Sequence, residues 1–239
     1  MSPNGYYSHT ANDPFVKVAV LFSGGKDSTY ALYVAQQRGW EVSNLITVVP
    51  EGDDSMLYHV PNVNLTPLLS ECLEIRLTSR ETELGEEKEL DALKEVLSHA
   101  DADGLVMGTI ASDFQKSRVD AICHELGIRC FAPLWRQSQA ALLADYLAAG
   151  FRIIITGVAA EGLDESWLGR EIDEKARSEL LELNRKFGLS PCGEGGEYET
   201  LVVDGPNFSR RLQVIEARKE FKGTSGIYRV LEARTVPKQ

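Results

Sequence analysis

The sequence has no hydrophobic run long enough to cross a membrane, and its N-terminus lacks a basic stretch followed by an apolar one. Its longest apolar segments, Val16–Phe22 and Arg152–Val158, have the length of β-strands, whereas a membrane helix needs about 18 residues or more. A secretory leader and a membrane anchor are therefore not indicated. We expect a cytoplasmic protein with a polar N-terminal tail and no membrane partner.

Cysteine is scarce, and its spacing excludes two kinds of site. No two of the four cysteines, Cys72, Cys123, Cys130 and Cys192, form a C-x-x-C pair, and no histidine lies at ligand spacing from a pair of them. A structural zinc site and a disulfide framework are not indicated. We expect four reduced and mostly buried thiols.

Basic residues are also in deficit. The chain has 25 lysines and arginines against 36 acidic residues, which gives a formal net charge of −11. This balance disfavours nucleic acid as a partner, because the bulk field repels it. A basic stretch near the C-terminus, FSRRLQVIEARKEFKG, is interpreted as a solvated strand face. The sequence leaves a homo-oligomer open.

The first half of the chain alternates strand and helix patterns. This alternation predicts an α/β fold, with a parallel sheet covered by helices on both faces and ligands bound at the carboxyl ends of its strands. The predicted strands are Phe15–Phe22, Val42–Val49, Glu74–Leu77, Gly104–Met107 and Arg129–Phe131, and the predicted helices are Ser28–Arg38, Leu65–Leu73, Glu86–His99 and Ser112–Leu126.

After Pro133 the pattern changes to a helix-rich stretch followed by separate strands. This order predicts a second, smaller α+β domain. The predicted helices are Gln137–Ala149 and Ile172–Phe187, and the strands are Phe151–Thr156, Leu201–Val203, Leu212–Ala217 and Gly226–Glu232. We therefore divide the chain into a flexible tail (1–14), a first domain (15–133) and a second domain (134–239).

The strongest local signal is Ser23-Gly24-Gly25-Lys26-Asp27-Ser28, which follows the first strand and precedes the first helix. Glycines let phosphate oxygens approach the backbone, and the amides at the helix N-terminus bind anions. The segment is not a Walker A loop, because Asp27 stands where that motif has a hydroxyl residue. A carboxylate beside phosphates needs a cation, so Asp27 is a candidate ligand of Mg²⁺. The alternative is a plain turn in which Asp27 or Ser28 caps the helix.

The SGGKDS segment resembles the PP-loop ATPases, which split ATP into AMP and pyrophosphate. Three more segments resemble one branch of that superfamily, the diphthine–ammonia ligases: SMLYHVPN (55–62), GTIASDFQKSR (108–118) and EGGEYET (194–200). An aromatic residue commonly precedes the glutamine of the second segment in that family, and Phe114 occupies that position here. The resemblance extends from Lys17 to Asp204 and implies a nucleotide-binding first domain and a substrate-binding second domain.

The resemblance implies a reaction in which diphthine on elongation factor 2, ATP and ammonia are converted to diphthamide, AMP and pyrophosphate. Mg²⁺ would accompany the ATP. The carboxylate of diphthine would first become an acyl-adenylate. Residues implied in nucleotide binding are Ser23, Gly24, Gly25, Lys26, Asp27, Ser28, His59, Gly108 and Thr109, and those implied in substrate binding are Asp113, Gln115, Arg118, Glu194, Gly195, Gly196, Glu197, Tyr198, Glu199 and Thr200. Lys26, Asp27 and Glu197 are the candidate catalytic residues.

Several of these residues also have plainer interpretations. Asp113 could simply cap a helix, and Arg118 could be a surface charge. His59 could be an ordinary loop residue. The acidic segment 194–200 could bind ammonium, accept its proton or recognise the trimethylammonium group, for which Tyr198 offers an aromatic face. Like charges repel, so this crowding of glutamates favours a site with a cationic ligand.

Two further functions stay open at this stage. One is a tRNA-modifying PP-loop enzyme that thiolates tRNA or acts as a lysidine-type ligase, and the other is a nucleotide-binding regulator without turnover. For the ligase, we expect Glu194, Glu197 and Glu199 to face the nucleotide site across the domain cleft. We also expect Lys26→Ala or Asp27→Ala to abolish turnover and to leave the fold intact, because both lie in a loop.

Overall fold

A computed structural model describes residues 16–51 and 62–238 of the chain. Its first half forms a five-stranded parallel sheet with the strand order β3-β2-β1-β4-β5. The strands are β1 (Lys17–Leu21), β2 (Glu41–Pro50), β3 (Leu77–Thr82), β4 (Gly104–Val106) and β5 (Arg129–Phe131). The predicted α/β class is confirmed.

Helices cover both faces of this sheet, as alternation along β1 shows. Val18 and Val20 pack into one hydrophobic core with α1 (Lys26–Gln37) and α2 (Thr66–Leu73). Ala19, between them, packs into the other core with α3 (Glu86–Ser98) and α4 (Asp113–Leu126). Successive side chains of a strand point to opposite faces, so each face of the sheet needs its own apolar cover.

The prediction for the third strand was wrong in its position. Glu74 adopts a left-handed conformation, with φ of +55°, and caps the end of α2. The strand that pairs with β2 begins only at Leu77, opposite Leu45, and continues to Thr82. Its sequence, LTSRET, is half exposed and polar, which suits a strand at the edge of the sheet and gives no apolar run to find.

The second half contains α5 (Gln139–Ala148), α6 (Glu174–Phe187) and a four-stranded antiparallel sheet of order β7-β6-β9-β8. Its strands are β6 (Arg152–Val158), β7 (Tyr198–Asp204), β8 (Arg210–Lys222) and β9 (Ser225–Pro237), and 3₁₀ turns lie at Val63–Leu65 and Glu165–Trp167. The last two strands form a hairpin that is longer than the apolar patterns predicted.

The two sheets share one hydrophobic core. Phe22, at the end of β1, belongs to the same buried cluster as Tyr146 on α5, Phe151 before β6 and Leu201 on β7. This shared core fixes the second sheet beside the carboxyl ends of the first. Among the helices of the described ranges, none is long and apolar enough to cross a membrane.

Candidate functional site

A cavity of about 960 Å³ opens at the carboxyl ends of β1 and β4, between the two sheets. The strand order reverses between these two neighbouring strands, since β1 leads outward to β2 and β4 leads to β5 on the opposite side. Such a switch point is where parallel α/β sheets bind ligands. The segments 23–28, 107–109 and 192–200 all contribute to its wall.

The segment Ser23–Ser28 has the geometry of an anion site. The hydroxyls of Ser23 and Ser28 lie 3.0 Å apart, and the Gly25 amide donates to Ser23 Oγ over 3.3 Å. Gly25 is the N-cap of α1, so the first backbone amides of this helix have no carbonyl acceptor within the helix. The amides of Asp27 and Ser28 have no acceptor within residues 16–51 and 62–238, and phosphate oxygens are their natural partners.

Two glycines are required by close approach at this segment. Gly24 has a φ of +79°, and a Cβ there would lie 2.5 Å from Leu69 Cδ1. A Cβ on Gly108, at the end of β4, would lie 2.6 Å from both the carbonyl carbon of Asp27 and the amide nitrogen of Ser28. Gly108 therefore lets the first turn of α1 lie directly against the β4 end, as its position on the same sheet edge predicted.

Lys26 is buried, with 4% of its side chain exposed, and its ammonium already has protein partners. Nζ donates to Asp27 Oδ2 over 2.9 Å and to the carbonyl of Cys192 over 2.5 Å, and it lies 5.0 Å from the centre of the Tyr198 ring. Burial opposes the charged form, but Asp27 and its other neighbours raise the pKa of Lys26 above its ordinary value. Lys26 thus stays charged and joins the two halves of the molecule.

These contacts bear on two expectations. Lys26 is the first residue of α1 and is buried, so the premise that Lys26→Ala removes only a loop side chain was wrong. Asp27 Oδ1 accepts from the Tyr146 hydroxyl at 2.8 Å and Oδ2 accepts from Lys26. Each oxygen thus accepts one hydrogen bond and keeps a further lone pair, so a role for Asp27 in binding Mg²⁺ stays a prediction.

The acidic segment, 194–200, directly contacts the anion site, Ser23–Ser28. The Lys26 amide donates to Thr200 Oγ1 over 3.1 Å, and the Val202 amide donates to the Gly24 carbonyl over 2.9 Å. Glu194 lines the same cavity and accepts from the Ala111 amide at 2.8 Å. Burial raises the pKa of Glu194, and the hydrogen bond from the Ala111 amide offsets part of this rise.

Glu199 is the carboxylate of this segment best placed for proton transfer. It lies on β7 at the wall of the cavity, and its side chain has no hydrogen-bond partner in the described parts of the chain. Burial raises the pKa of Glu199 to about 7, since the nearby carboxylates of Asp27 and Glu194 add to the effect of burial and Lys26 only partly opposes it. A carboxyl with this pKa can exchange a proton near neutral pH.

Glu197, which we expected to be catalytic, is turned into its own loop. Its two carboxylate oxygens accept from the amides of Ser190 and Gly195, over 2.9 and 2.8 Å. Neither Glu197 nor Gly195 lines the cavity, whereas Gly196 does. The geometry supports a role for Glu197 in shaping the loop and gives no support to its catalytic role.

Tyr198 is only 1% exposed, and its hydroxyl donates to the Pro191 carbonyl over 2.5 Å. The cation over its ring is Lys26 of the same chain. The expected contact between this ring and a trimethylammonium group therefore finds no support, because a buried lysine already occupies that contact.

The residues of the 108–118 segment divide into two groups. Thr109 and Gln115 line the cavity. Asp113 is exposed and lies 3.8 Å from Arg136, and Arg118 bonds Glu86 through Nε while its guanidinium lies 3.5 Å from the centre of the Phe114 ring. Neither charged residue borders the cavity, so their expected contact with substrate is not supported. His59 and most of the segment 55–62 lie outside the described residues.

Sequence reasoning missed three parts of the site. The apolar part of the lining, here called the apolar recess, consists of Leu21, Val48, Met107, Phe114 and Val119. The tip of the β8–β9 hairpin also borders the cavity, with Glu220–Lys222 and Ser225–Ile227. Tyr146 reaches Asp27 from α5. The recess could have been found from the strand ends, but neither the hairpin nor Tyr146 carries a motif.

Family models match both halves of the chain. The model of the diphthamide synthase N-terminal domain matches residues 16–130, and that of the diphthamide synthase C-terminal domain matches residues 139–236. A structure from Methanocaldococcus jannaschii, described as a predicted subunit of tRNA methyltransferase, shares 20% identity with a TM-score of 0.43 and covers 80% of this chain and 98% of that chain. That likeness is too weak to bear on fold or function.

Curated relatives carry the name diphthine–ammonia ligase. The relative from Schizosaccharomyces pombe is 37% identical over 231 residues, which cover 88% of this chain but only 38% of that longer protein. The relatives from Rattus norvegicus and Homo sapiens are 34% and 32% identical over 222 residues, which cover 83% of this chain and 83% of each of them. Both domain models match, and the two mammalian relatives are covered over 83% of their length, so the chain belongs to the diphthamide synthase family of carbon–nitrogen ligases.

Proposed function

We propose that the protein converts diphthine on elongation factor 2 to diphthamide, using ATP and ammonia and releasing AMP and pyrophosphate. The observation that carries this proposal is the direct contact between the anion site and the acidic segment, through Lys26 and Thr200. One cavity thus joins a place for phosphates to a place for a cation. Amidation through an adenylate needs both within reach of one carbonyl.

The nucleotide would bind along the carboxyl edge of the parallel sheet. The apolar recess that contains Met107 and Phe114 offers the flat contacts that a purine base requires. The amides of Asp27 and Ser28 and the hydroxyls of Ser23 and Ser28 would face the phosphates. Family membership implies ATP use, and this arrangement gives it a physical basis.

In the first step a carboxylate oxygen of diphthine attacks the α-phosphorus, and the bond to the β-phosphate oxygen breaks. The product is an acyl-adenylate, and pyrophosphate leaves. The helix amides stabilise the charge that develops on pyrophosphate. In the second step ammonia attacks the activated carbonyl, the bond to AMP breaks, and one proton of the nitrogen must be removed.

Glu199 is our candidate acceptor of that proton. It lies on the acidic side of the cavity, carries no hydrogen bond within the described residues, and has a pKa raised to about 7. Glu194 lies on the same wall and adds negative charge that would attract ammonium or the trimethylammonium group of diphthine. Glu197 is not assigned a chemical step, because loop amides occupy both of its oxygens.

Mg²⁺ would enter the site bound to the phosphates of ATP. Asp27 is held by Lys26 and Tyr146, and it would reach this ion through a remaining lone pair or a bridging water. Mg²⁺ commonly keeps several waters and binds through substrate phosphates.

The alternative of tRNA thiolation requires a reactive cysteine at the site. Cys192 lines the cavity, but burial raises the pKa of its thiol to about 12. A thiol with that pKa supplies little thiolate at neutral pH. Cys123 and Cys130 lie on α4 and β5 and do not border the cavity. These observations favour the ligase.

The proposal is tested with purified protein, ATP, ammonium and elongation factor 2 that carries diphthine. We expect AMP and pyrophosphate to form only in the complete mixture, and mass spectrometry to show conversion of the carboxylate to the amide. ADP and phosphate as products would refute cleavage between the α and β phosphates. Binding of ATP with no turnover in the complete mixture would favour the nucleotide-binding regulator.

A further inference from the structure

Tyr146 lies on α5, in the second half of the chain, and is completely buried. Its ring packs against Tyr30 at 4.6 Å between centroids, and Tyr30 in turn packs against Tyr33 and Phe151. The hydroxyl of Tyr146 donates to Asp27 Oδ1 over 2.8 Å. Because packing holds the ring, the position of its hydroxyl is fixed before any ligand binds.

This bond is the first link of a chain of polar contacts across the molecule. Asp27 Oδ2 accepts from Lys26 Nζ at 2.9 Å, and the same ammonium donates to the Cys192 carbonyl over 2.5 Å. The chain therefore runs from α5 through the first turn of α1 to the loop that leads into the acidic segment. Lys26 is 4% exposed and Asp27 is 23% exposed, so water screens these contacts weakly.

The physical need for Tyr146 follows from the charge of Asp27. A carboxylate in the first turn of an anion-binding helix would be repelled by the phosphates and would rotate unless other donors held it. Lys26 alone leaves one oxygen without a donor. A buried tyrosine hydroxyl also costs free energy unless it is hydrogen-bonded, so the bond satisfies both groups.

We propose that Tyr146 is a positioning residue for ATP binding and adenylation. It holds the carboxylate of Asp27, which in turn directs Lys26 to the Cys192 carbonyl and fixes the first turn of α1 against the acidic segment. The catalytic part of this inference rests on the proposed function, whereas its effect on ATP binding does not.

The test compares Tyr146→Phe, which keeps the ring and removes the hydroxyl, with Tyr30→Phe in the same aromatic cluster. No hydrogen bond of the Tyr30 hydroxyl is present in the described structure. The affinity for ATP is measured by calorimetry, and amidation of elongation factor 2 gives kcat and KM. We expect Tyr146→Phe to weaken ATP binding and to lower kcat roughly tenfold or more, as loss of a hydrogen bond to a charged group predicts. Tyr30→Phe should resemble the wild type in both.

A double-mutant cycle separates positioning from a purely structural role. If Tyr146 acts through Asp27, the double variant Tyr146→Phe with Asp27→Asn should lose little more affinity for ATP than Asp27→Asn alone. Additive losses would overturn the inference, and so would a Tyr146→Phe protein that melts earlier but keeps wild-type affinity and kcat. Failure of the wild type to amidate would defeat the proposed function, while the ATP-binding cycle would still decide the role of Tyr146.

Discussion

The backbone amide of Lys26 donates a hydrogen bond to the hydroxyl of Thr200, which lies 174 residues further along the chain. Thr200 is 3% exposed, so the bond is made away from water. It joins the first turn of α1 in the parallel sheet to β7 in the antiparallel sheet. The anion site and the acidic segment are therefore positioned relative to each other by a direct contact.

This contact gives a prediction for Thr200. Thr200→Val keeps the shape and removes the acceptor, leaving a buried amide without its partner, which costs about 1–3 kcal/mol. We expect lower stability in urea unfolding and weaker ATP binding. Thr200→Ser keeps the hydroxyl and should retain more of the ATP affinity. Equal ATP affinities for both variants and the wild type would show that the contact does not shape the nucleotide site.

The buried ion pair leads to a second prediction. Lys26→Ala leaves Asp27 and the Cys192 carbonyl without their donor, and loss of one partner of a buried pair costs about 3–5 kcal/mol. We expect loss of turnover together with a marked loss of stability, measured by chemical unfolding. Lys17→Ala is the control, because Lys17 makes its ion pairs at the surface and exposed pairs contribute little. An inactive Lys26→Ala protein with wild-type stability would contradict the structural role.

The sequence predicted what is local and periodic. The five strands of the parallel sheet were all expected, and four of them were found close to their predicted positions, because buried strands are apolar runs bounded by turns. Strand β3 was misplaced because an exposed edge strand has no such run. The strands of the β8–β9 hairpin were predicted too short for the same reason, because many of their residues are exposed.

At the site, motif reasoning found the segments but could not orient individual side chains. EGGEYET was expected at the cleft, and Glu194, Glu199 and Thr200 do line the cavity. Glu197 is instead turned into its own loop by the Ser190 and Gly195 amides, and the spacing of the motif does not reveal these contacts. Tyr146 contacts Asp27 from 119 residues away, and a lone tyrosine on an apolar helix carries no signal.

Arg118 gives a third prediction, since it stacks on Phe114 and pairs with Glu86. Phe114 lines the apolar recess, so Arg118 should act on the nucleotide only by holding that ring. We expect Arg118→Ala to raise KM for ATP by roughly two- to tenfold, which corresponds to an ordinary cation–π contact. The value of kcat should change little.

Arg136→Ala is the matched control for Arg118→Ala. Arg136 also stacks on an aromatic ring, that of Trp135, but is 72% exposed and does not border the cavity. It should leave KM for ATP unchanged. A large fall in kcat for Arg118→Ala with unchanged KM would instead indicate direct contact with the reacting groups.

The fourth prediction concerns proton transfer by Glu199. Its pKa is raised from 4.5 to about 7, and only the ionised form can accept a proton from the attacking ammonia. Amide formation should therefore rise with pH through about 7 and then level off, when it is measured at constant free ammonia. Glu199→Gln should slow this step, by roughly 10²–10⁴-fold if general-base catalysis is lost, and should remove the dependence on this group.

The raised pKa of Glu199 also affects stability, which should fall with rising pH while amide formation increases. Because the folded protein holds the proton more tightly than the unfolded chain, the stabilising contribution is complete below about 4.5 and is lost as the pH rises through about 7. Glu199→Gln is neutral at every pH and should escape this loss. We therefore expect its melting temperature, relative to the wild type, to increase between pH 5 and pH 8.

Glu197→Gln separates chemistry from loop structure. Glutamine has one oxygen where Glu197 uses two, so one of the two loop amides loses its acceptor. We expect lower stability with the pH dependence of amide formation retained, the reverse of the result for Glu199→Gln. If Glu197→Gln abolished the pH dependence and Glu199→Gln preserved it, the proton acceptor would be Glu197. The loop would then have to open before ammonia attacks, since both oxygens of Glu197 are engaged in the present structure.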